Sequence, residues 1–345
     1  MFKGLDFSSD TATRPSRAMK QAMIEAELGD EQKGEDPTTK KLEQLMAEKL
    51  GKSGALFFPS ATMANQVAVV LHTTPGDEVL GADTCHIFIN EGGGAAFHAR
   101  SQTRMIATPD GTFDGDAIKA RFRPDPGYLS PKTTLVIVEN THNATGGVVW
   151  PKEKLVSVTK TAQELGLKTH LDGARLFNAA LATQRSLEDL AQGFDTVTVC
   201  FSKGLGCAAG AILAFDEKQF DNVRKLKQIF GGSLRQSGML SAACLYALKN
   251  HVDDLAEDHL KAQRFSQGLS TLKGLVLETK NPTSNMVFFS VHEPTLKPDS
   301  FMKRCLEHNI RFSQVSPNRF RAVMHRDVSM AEVHETLLIL NHIAG

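Results

Sequence analysis

The apolar positions of the chain follow two alternating patterns as far as residue 215. Short runs rich in β-branched and aromatic residues, bounded by Gly, Pro, Asn or Asp, predict seven strands, at residues 55–59, 78–82, 104–108, 134–139, 168–172, 196–201 and 210–215. Between several of them lie segments with helical spacing of apolar residues, such as 62–71 and 152–165. This alternation predicts an α/β fold whose mostly parallel, seven-stranded sheet is covered on both faces by helices.

Beyond residue 215 the pattern changes. Long helical stretches occupy residues 217–229 and run from 237 past 263, broken only by the pair Gly231 and Gly232. Strand-like runs at 275–279, 286–291, 310–313 and 320–324 then mix with helices near 300–308 and 329–342. We therefore expect two domains: an N-terminal segment with a large α/β domain over residues 1–245, and a small C-terminal α+β domain over 246–345.

Composition narrows the class of protein. The 345 residues are 41% hydrophobic and 23% charged, and 39 basic side chains balance 39 acidic ones. This composition is typical of a soluble globular protein, and it lacks the basic excess of a nucleic-acid binder or the apolar stretch of a membrane span. Five separated cysteines without a C-x-x-C pair indicate reduced thiols, and the charged N-terminus does not resemble a signal peptide. We expect a cytoplasmic enzyme with a small-molecule partner.

Three motifs are present only in part, and each lacks a required residue or the required spacing. Lys52 follows Gly51 as in a P-loop, but the first glycine of that motif is replaced by Met46. The glycines around Gly206 are misspaced for a dinucleotide fingerprint. Leu338 stands where a zinc-protease helix beginning at His334 needs its second histidine, so no metal site is expected.

Reactive side chains follow several of the predicted strands. They are Ser60, Ala61 and Thr62 after the first strand, His86 after the second, His142 and Asn143 after the fourth, Asp172 at the end of the fifth, and Ser202 and Lys203 after the sixth. Open α/β sheets bind ligands in the crevice at the carboxyl ends of their strands. One crevice is therefore expected to collect these groups.

Lys203 and Asp172 form the most informative pair. An amine between an apolar strand and glycines is partly desolvated, which lowers its pKa and makes it a Schiff-base nucleophile, and Ser202 can bond an anionic group beside it. Asp172 is placed to face a buried cation such as a pyridinium nitrogen. Taken separately, Lys203 would be interpreted as a surface residue and Asp172 as the cap of the following helix. Together they are the anchor and the electron-sink partner that pyridoxal 5'-phosphate (PLP) requires.

The remaining candidates each have a structural alternative. Thr62 and its neighbours offer a helix N-terminus to a phosphate, although helix capping explains them equally well. His86 could stack on a cofactor ring or be a structural histidine, and His142 could shuttle protons or bond its own loop. Arg175 and Arg321 suit a substrate carboxylate, but arginines are also common on surfaces.

Four segments, taken together, resemble the low-specificity L-threonine aldolases. They are residues 9–15 (SDTATRP), 139–143 (ENTHN), 170–175 (HLDGAR) and 202–206 (SKGLG). The similarity runs from about Asp6 to Asp327. The resemblance implies a fold type I, aspartate aminotransferase-like, PLP-dependent enzyme. It also implies a homotetramer whose active sites are shared across a dimer interface.

The resemblance assigns cofactor roles to five residues. Lys203 is similar to the lysine that carries PLP, and Asp172 to the partner of the pyridine nitrogen. His86 resembles the imidazole stacked on the ring. Thr62 and the backbone of Ala61 match the phosphate cradle, although this family usually has glycine where Ala61 stands.

Substrate and interface roles follow from the same resemblance. Ser9, Arg175 and Arg321 are similar to the groups around the substrate carboxylate, and Arg175 is also placed among the cofactor contacts. His142 matches the histidine near the substrate β-hydroxyl. Arg235 resembles an arginine that reaches across the interface to the cofactor region.

The segment before that arginine departs from the family pattern. Gln228 falls where many relatives have a lysine, a position that Lys227 could fill, and the usual triple glycine ends in Ser233. Asn90 and His142 are our candidates for the side of the site that faces the β-carbon.

The implied reaction is retro-aldol cleavage of L-threonine, L-allo-threonine and related β-hydroxy-α-amino acids such as phenylserine to glycine and an aldehyde. In that reaction the substrate displaces Lys203 from the cofactor, and His142, directly or through water, takes the β-hydroxyl proton. The alternatives are another fold type I reaction, such as β-elimination, and a non-catalytic relative with the same fold.

Overall fold

The computed structural model describes residues 2–124, 127–291 and 296–344. The strands are β1 (Leu5–Asp6), β2 (Gly54–Phe58), β3 (Glu78–Ala82), β4 (Gln102–Ile106), β5 (Thr133–Glu139), β6 (Lys168–Gly173), β7 (Thr196–Cys200), β8 (Ala211–Phe215), β9 (Leu275–Leu277), β10 (Met286–Val291), β11 (Ile310–Arg311), β12 (Ser313–Ser316) and β13 (Arg319–Val323). The helices are α1 (Arg17–Ile24), α2 (Pro37–Lys49), α3 (Ala61–His72), α4 (His86–Ile89), α5 (Gly94–His98), α6 (Gly115–Lys119), α7 (Lys152–Glu164), α8 (Leu176–Thr183), α9 (Leu187–Ala191), α10 (Phe220–Ile229), α11 (Gly238–Asn250), α12 (Leu255–Leu269), α13 (Pro298–Glu307) and α14 (Met330–Ala344). Single 3-10 turns lie at Asp10–Ala12, Glu31–Lys33, Asn143–Thr145 and Glu217–Gln219.

A seven-stranded sheet with the order β2-β8-β7-β6-β5-β3-β4 forms the larger part of the molecule. Every pair in it is parallel except those that β8 makes with β2 and β7. The strands β2, β3, β7 and β8 are buried along their whole length, because helices cover both faces. The predicted mostly parallel sheet of seven strands is confirmed.

Helix α3 crosses one face of this sheet and contacts β6, β7 and β8. It begins after Ser60, whose hydroxyl accepts a hydrogen bond from the N–H of Met63 at 3.2 Å. Its apolar residues Ala64, Val67 and Ala68 pack against β8 and α10. This packing fixes the start of α3 at the carboxyl edge of the sheet.

A four-stranded antiparallel sheet, in the order β12-β13-β10-β9, forms the smaller part together with α12, α13 and α14. Its core is rich in phenylalanine, with Phe289 stacking on Phe320 at a centroid distance of 5.7 Å. The N-terminal segment joins this part, since β1 pairs in parallel with β11 and Phe7 is buried in the same core. The predicted domain boundary near residue 245 falls inside α11 and stays a prediction.

The sequence predicted one continuous helix from residue 237 past 263, and this was wrong. Two helices, α11 and α12, occupy that stretch. They are separated at His251, which is buried and bonds through Nδ1 to the carbonyl of Leu205 at 2.8 Å. This tertiary bond, together with the weak helix formers Asp253 and Asp254, outweighs the local helical preference. Within the described residues, no helix has the length and hydrophobicity that a bilayer crossing requires.

Candidate active site

A cavity of about 430 Å³ opens at the carboxyl ends of β5, β6 and β7. These strands are adjacent and parallel, so the residues that follow them meet at one edge of the sheet. The candidates from the sequence that line this cavity are Ser9, Ala61, Thr62, His86, Asn90, Asp172, Arg175, Ser202, Lys203 and Arg321. The expected crevice is present, and its volume is typical of small-molecule sites.

Lys203 lies in the tight turn that follows β7. The N–H of Gly206 donates to the Lys203 carbonyl at 2.8 Å, and Gly206 has a φ of 78°, a value that favours glycine. A Cβ on Gly204 would come within 2.7 Å of Leu255 in α12, so the turn packs closely against that helix. Among the described residues, the Lys203 amine has no hydrogen bond or ion pair. The rigid turn thus presents an unengaged amine to the cavity.

Asp172 lies near the end of β6 and is only 1% exposed. Its Oδ2 accepts a hydrogen bond from Asn65 Nδ2 at 3.0 Å, and its Oδ1 accepts one from the backbone N–H of Ala174 at 3.1 Å. The expected alternative, a cap on the following helix, is not its main role, because α8 begins only after Arg175. The two N–H donors hold this carboxylate in a fixed orientation, and a carboxylate at this position would attract a cationic ring nitrogen.

Two residues of the site, Glu91 and Asn65, were not identified from the sequence. Glu91 Oε1 lies 2.9 Å from His86 Nδ1 and 2.9 Å from Asn65 Nδ2, and its Oε2 accepts from Gln66 at 2.6 Å. Asn65 therefore donates to Glu91 and Asp172 at once. The only sequence signal was the amide pair of Asn65 and Gln66 within an otherwise apolar helix.

His86 borders the cavity at the start of α4. Its backbone N–H donates to Glu139 Oε2 at 2.6 Å, and its ring bonds Glu91. Burial alone would lower the pKa of His86, but the hydrogen bond to Glu91 and the charges of Asp172, Glu91 and Glu139 outweigh it, and the pKa lies above its usual value. His86 is therefore poised to carry a proton inside the cavity.

The ring nitrogen of His86 and one oxygen each of Glu91 and Asp172 lie within 4.8 Å of one another. This spacing would suit a metal ion, but Asn65 already directs its N–H groups at both carboxylates. A donor hydrogen competes with a cation for the same lone pairs. The geometry therefore favours a hydrogen-bonded cluster over a metal centre.

The N-terminus of α3 supplies backbone donors to the cavity. Ser60, Ala61 and Thr62 all line it, and the first N–H groups of a helix have no partner within the helix. Ala61 begins α3 and is not among the described residues with positive φ. A backbone N–H contact therefore does not need the glycine that is usual at this position. Together with Ser202, this edge of the cavity is suited to an anion such as a phosphate.

Two arginines lie on the cavity wall near the N-terminal segment. Arg175 makes a bidentate ion pair with Asp10, with Nε and one terminal nitrogen each 2.7 Å from a carboxylate oxygen. Arg321 donates to Asn143 Oδ1 at 2.9 Å and to the Ser8 carbonyl at 3.1 Å. Its Nε is buried without a hydrogen-bond partner among the described residues. Burial and the charge of Arg175 lower the pKa of Arg321. An anion bound beside the two guanidinium groups would offset both effects, so this wall is suited to an anion.

His142 is fully buried and is not among the described residues that line the cavity. Its Nδ1 lies 3.0 Å from the hydroxyl of Thr145, which in turn donates to the Asp110 carbonyl, so Nδ1 is the donor. In the neutral ring, Nε2 then bears the lone pair. That nitrogen lies 4.0 Å from Glu139 Oε2 and has no hydrogen bond within the described chain. Burial raises the pKa of Glu139.

Arg235 lies outside the cavity. Its side chain is 62% exposed, and Nη1 lies 3.3 Å from Asp30. Lys227 is buried instead, forms an ion pair with Glu31, and lies 5.5 Å from the ring centroid of Phe58. Lys227 borders a separate groove of about 1020 Å³ between α2 and α10. It is therefore not available to this cavity within one chain.

The chain is similar to known proteins over most of its length. The chain matches the family described as beta-eliminating lyase over residues 6–292. It is 36% identical over 341 residues to low-specificity L-threonine aldolase 1 of Arabidopsis thaliana, covering 98% of this chain and 95% of that one. It is 37% identical over 332 residues to the low specificity L-threonine aldolase of Escherichia coli K12, covering 96% of each.

A solved structure extends the similarity to the fold. The threonine aldolase of Leishmania major has a TM-score of 0.85 with this chain at 20% identity, and the match covers 99% of this chain and 100% of that one. The fold type I architecture expected from the sequence is confirmed. The chain therefore belongs to the beta-eliminating lyases and, within them, to the low-specificity L-threonine aldolase family.

Proposed function

We propose that this protein binds PLP and cleaves L-threonine, L-allo-threonine and related β-hydroxy-α-amino acids, including phenylserine, to glycine and an aldehyde. The observation that carries the proposal is that one cavity holds the unengaged amine of Lys203 and the buried carboxylate of Asp172. The names of the relatives support the same activity.

The residues of the cavity fit the cofactor. Lys203 would hold it covalently, Asp172 would face its ring nitrogen, and His86 would lie against the ring. The N–H groups of Ala61 and Thr62, with Ser202, would bind its phosphate. When bound, PLP supplies an electron sink for the charge that develops at the substrate α-carbon.

Arg321 and Arg175 would orient the substrate by its carboxylate. The guanidinium of Arg321 keeps Nε for a ligand because its other nitrogens bond Asn143 and Ser8. Arg175 commits two nitrogens to Asp10 and contributes mainly its charge and its remaining nitrogen. Ser9, on the same wall, adds a hydroxyl. Fixing the carboxylate holds the bond between the α- and β-carbons in one orientation. This orientation favours cleavage of that bond over the other reactions of this fold type.

His142 takes up the proton of the β-hydroxyl, with a water molecule between them. The lone pair on its Nε2 and the bond that fixes its Nδ1 support this role. Lys203 would donate a proton to the α-carbon, where the bond to the β-carbon has broken, and would release glycine. His86, whose pKa is raised, keeps the cluster around Asp172 and Glu91 charge-balanced.

Our proposal for the assembly is a cytoplasmic homotetramer with active sites shared across a dimer interface. The exposed guanidinium of Arg235 supports this arrangement, because it can reach a neighbouring subunit. The described cysteines are all free and buried, which suits a reducing compartment.

The test is product analysis with purified protein, with and without added PLP. We expect glycine and aldehyde in equal amounts from L-allo-threonine, L-threonine and L-phenylserine. We expect no turnover and no covalent cofactor adduct in Lys203→Ala. Pyruvate and ammonia from L-serine, with no aldehyde from these three substrates, would instead identify a β-eliminating enzyme. Wild-type protein with no cofactor absorbance would favour a non-catalytic relative.

A further inference from the structure

Asn65 lies over the end of β6, with only 1% of its surface exposed. Its Nδ2 is 3.0 Å from Asp172 Oδ2 and 2.9 Å from Glu91 Oε1, and its Oδ1 is 3.1 Å from His170 Nε2. Every polar atom of this side chain is therefore engaged. The two amide hydrogens serve two different carboxylates, and one of these also holds the ring of His86.

The orientation of the amide follows from its partners. Burial lowers the pKa of His170 to about 3, so its ring is neutral and carries a single N–H. Because ionised carboxylates only accept hydrogen bonds, Asn65 must turn Nδ2 toward them and Oδ1 toward His170. His170 then donates from Nε2.

A second link fixes His170 itself. Its Nδ1 lies 2.9 Å from the hydroxyl of Thr196, which must donate to it. The same hydroxyl accepts from His72 Nε2 at 3.1 Å, and burial lowers the pKa of His72 to about 4, so that ring is neutral too. These hydrogen bonds form a chain in which each group donates to the next one toward the cavity. The chain begins at His72, at the far end of α3, and passes through Thr196 and His170 to Asn65.

We propose that Asn65 is a positioning residue for the reaction, which holds Asp172 and, through Glu91, His86 in place for the cofactor ring. This inference rests on the proposed function. Two carboxylates that share a small buried site repel each other. One N–H group donated by Asn65 to each carboxylate offsets this repulsion and holds both side chains in position.

The first test compares Asn65→Leu with Asn178→Leu. Asn178 is also a buried asparagine bonded to a buried histidine, His259, at 3.1 Å, but it does not line the cavity. Removing hydrogen bonds to buried charges should weaken PLP binding in Asn65→Leu by about 10- to 100-fold. It should also lower kcat more than it changes KM and shift the pH titration of the bound-cofactor absorbance. Asn178→Leu should lose thermal stability while keeping wild-type PLP affinity and titration.

A second pair of variants keeps the test decisive if Asn65→Leu does not fold. His170→Gln retains a donor toward Asn65 Oδ1, whereas His170→Leu removes it and frees the amide to rotate. We expect His170→Gln to bind PLP within about threefold of wild type and His170→Leu to approach the loss expected for Asn65→Leu.

Two outcomes separate this inference from the function on which it rests. Wild-type protein that shows no cofactor absorbance would overturn the proposed function. Wild-type protein that binds PLP normally, with Asn65→Leu or His170→Leu binding it equally tightly and titrating identically, would overturn the role of Asn65 alone.

Discussion

Asp10 and Arg175 are joined by two hydrogen bonds of 2.7 Å inside the wall of the cavity, although 165 positions separate them in the chain. Asp10 lies in the N-terminal segment and Arg175 just after β6. Asn285 adds a third donor to the carboxylate at 3.1 Å. The ion pair therefore links the N-terminal segment to the large sheet, and the hydrogen bond from Asn285 adds the segment before β10. Ser9, next to Asp10, is thereby held beside the cavity.

The first prediction concerns this ion pair. Burial raises the pKa of Asp10, but Arg175, the charge of Lys203 and Asn285 outweigh it and hold the pKa well below its usual value. Replacing Asp10 with Asn leaves the buried Arg175 uncompensated. We expect a loss of about 3–5 kcal/mol in the free energy of unfolding at neutral pH, measured with urea.

The pH dependence of that loss has a definite sign. A carboxyl whose pKa is depressed in the folded state contributes full stability above its unfolded pKa, and the contribution falls as the pH drops toward its folded pKa. The difference between wild type and Asp10→Asn should therefore narrow below a pH of about 4. A difference that stays constant across this range would contradict the pairing.

How well the site could be predicted depended on where each residue lies along the chain. Asp172 and Lys203 lie at or directly after strand ends, where a local pattern is enough to place them at the carboxyl edge. Asn65 and Glu91 depend on contacts with residues distant in sequence, Asn65 with Asp172 and Glu91 with Asn65. A single sequence carries no pattern that brings such residues together.

The same difference between local patterns and long-range contacts applies to the prediction of the fold. The strands of the large sheet were predicted to within a few residues, because each is a short apolar run with turn residues at its ends. The break between α11 and α12 was missed, because it depends on the contact of His251 with the Leu205 carbonyl. Strand β1 is only two residues long, too short for any period to be visible, whereas its partner β11 lies within the strand-like run predicted at 310–313.

A second prediction tests His142 as the acceptor of the β-hydroxyl proton. His142→Asn should slow cleavage of L-allo-threonine by about 100-fold or more. Exchange of the α-proton of glycine with solvent should continue, because glycine has no β-hydroxyl and this exchange depends on Lys203. Proton NMR in deuterated buffer measures the exchange. Parallel loss of both activities would show that His142 acts on the structure of the site as a whole.

A third prediction concerns the charge on His86. Burial lowers the pKa of this ring, but the hydrogen bond to Glu91 and the nearby carboxylates outweigh burial and raise the pKa above its usual value. Glu91→Gln removes one of those charges and keeps the size of the side chain. The pKa of His86 should fall, and the limb of the kcat/KM profile that follows its deprotonation should move to lower pH. His86→Phe should abolish that limb, and a profile unchanged in both variants would assign it to another group.

The last prediction concerns Arg321 and the substrate carboxylate. Two of its nitrogens bond Asn143 and Ser8, and the buried Nε is the one without a partner in the described chain. Arg321→Leu should raise KM for L-allo-threonine by about 10- to 100-fold, the cost of losing a charged hydrogen bond. Arg321→Lys should recover little of this, since a single ammonium cannot replace three directed donors. The amide of the substrate, which lacks the carboxylate, provides the control. If wild type and Arg321→Leu differ as much on the amide as on the amino acid, Arg321 is structural rather than a carboxylate ligand.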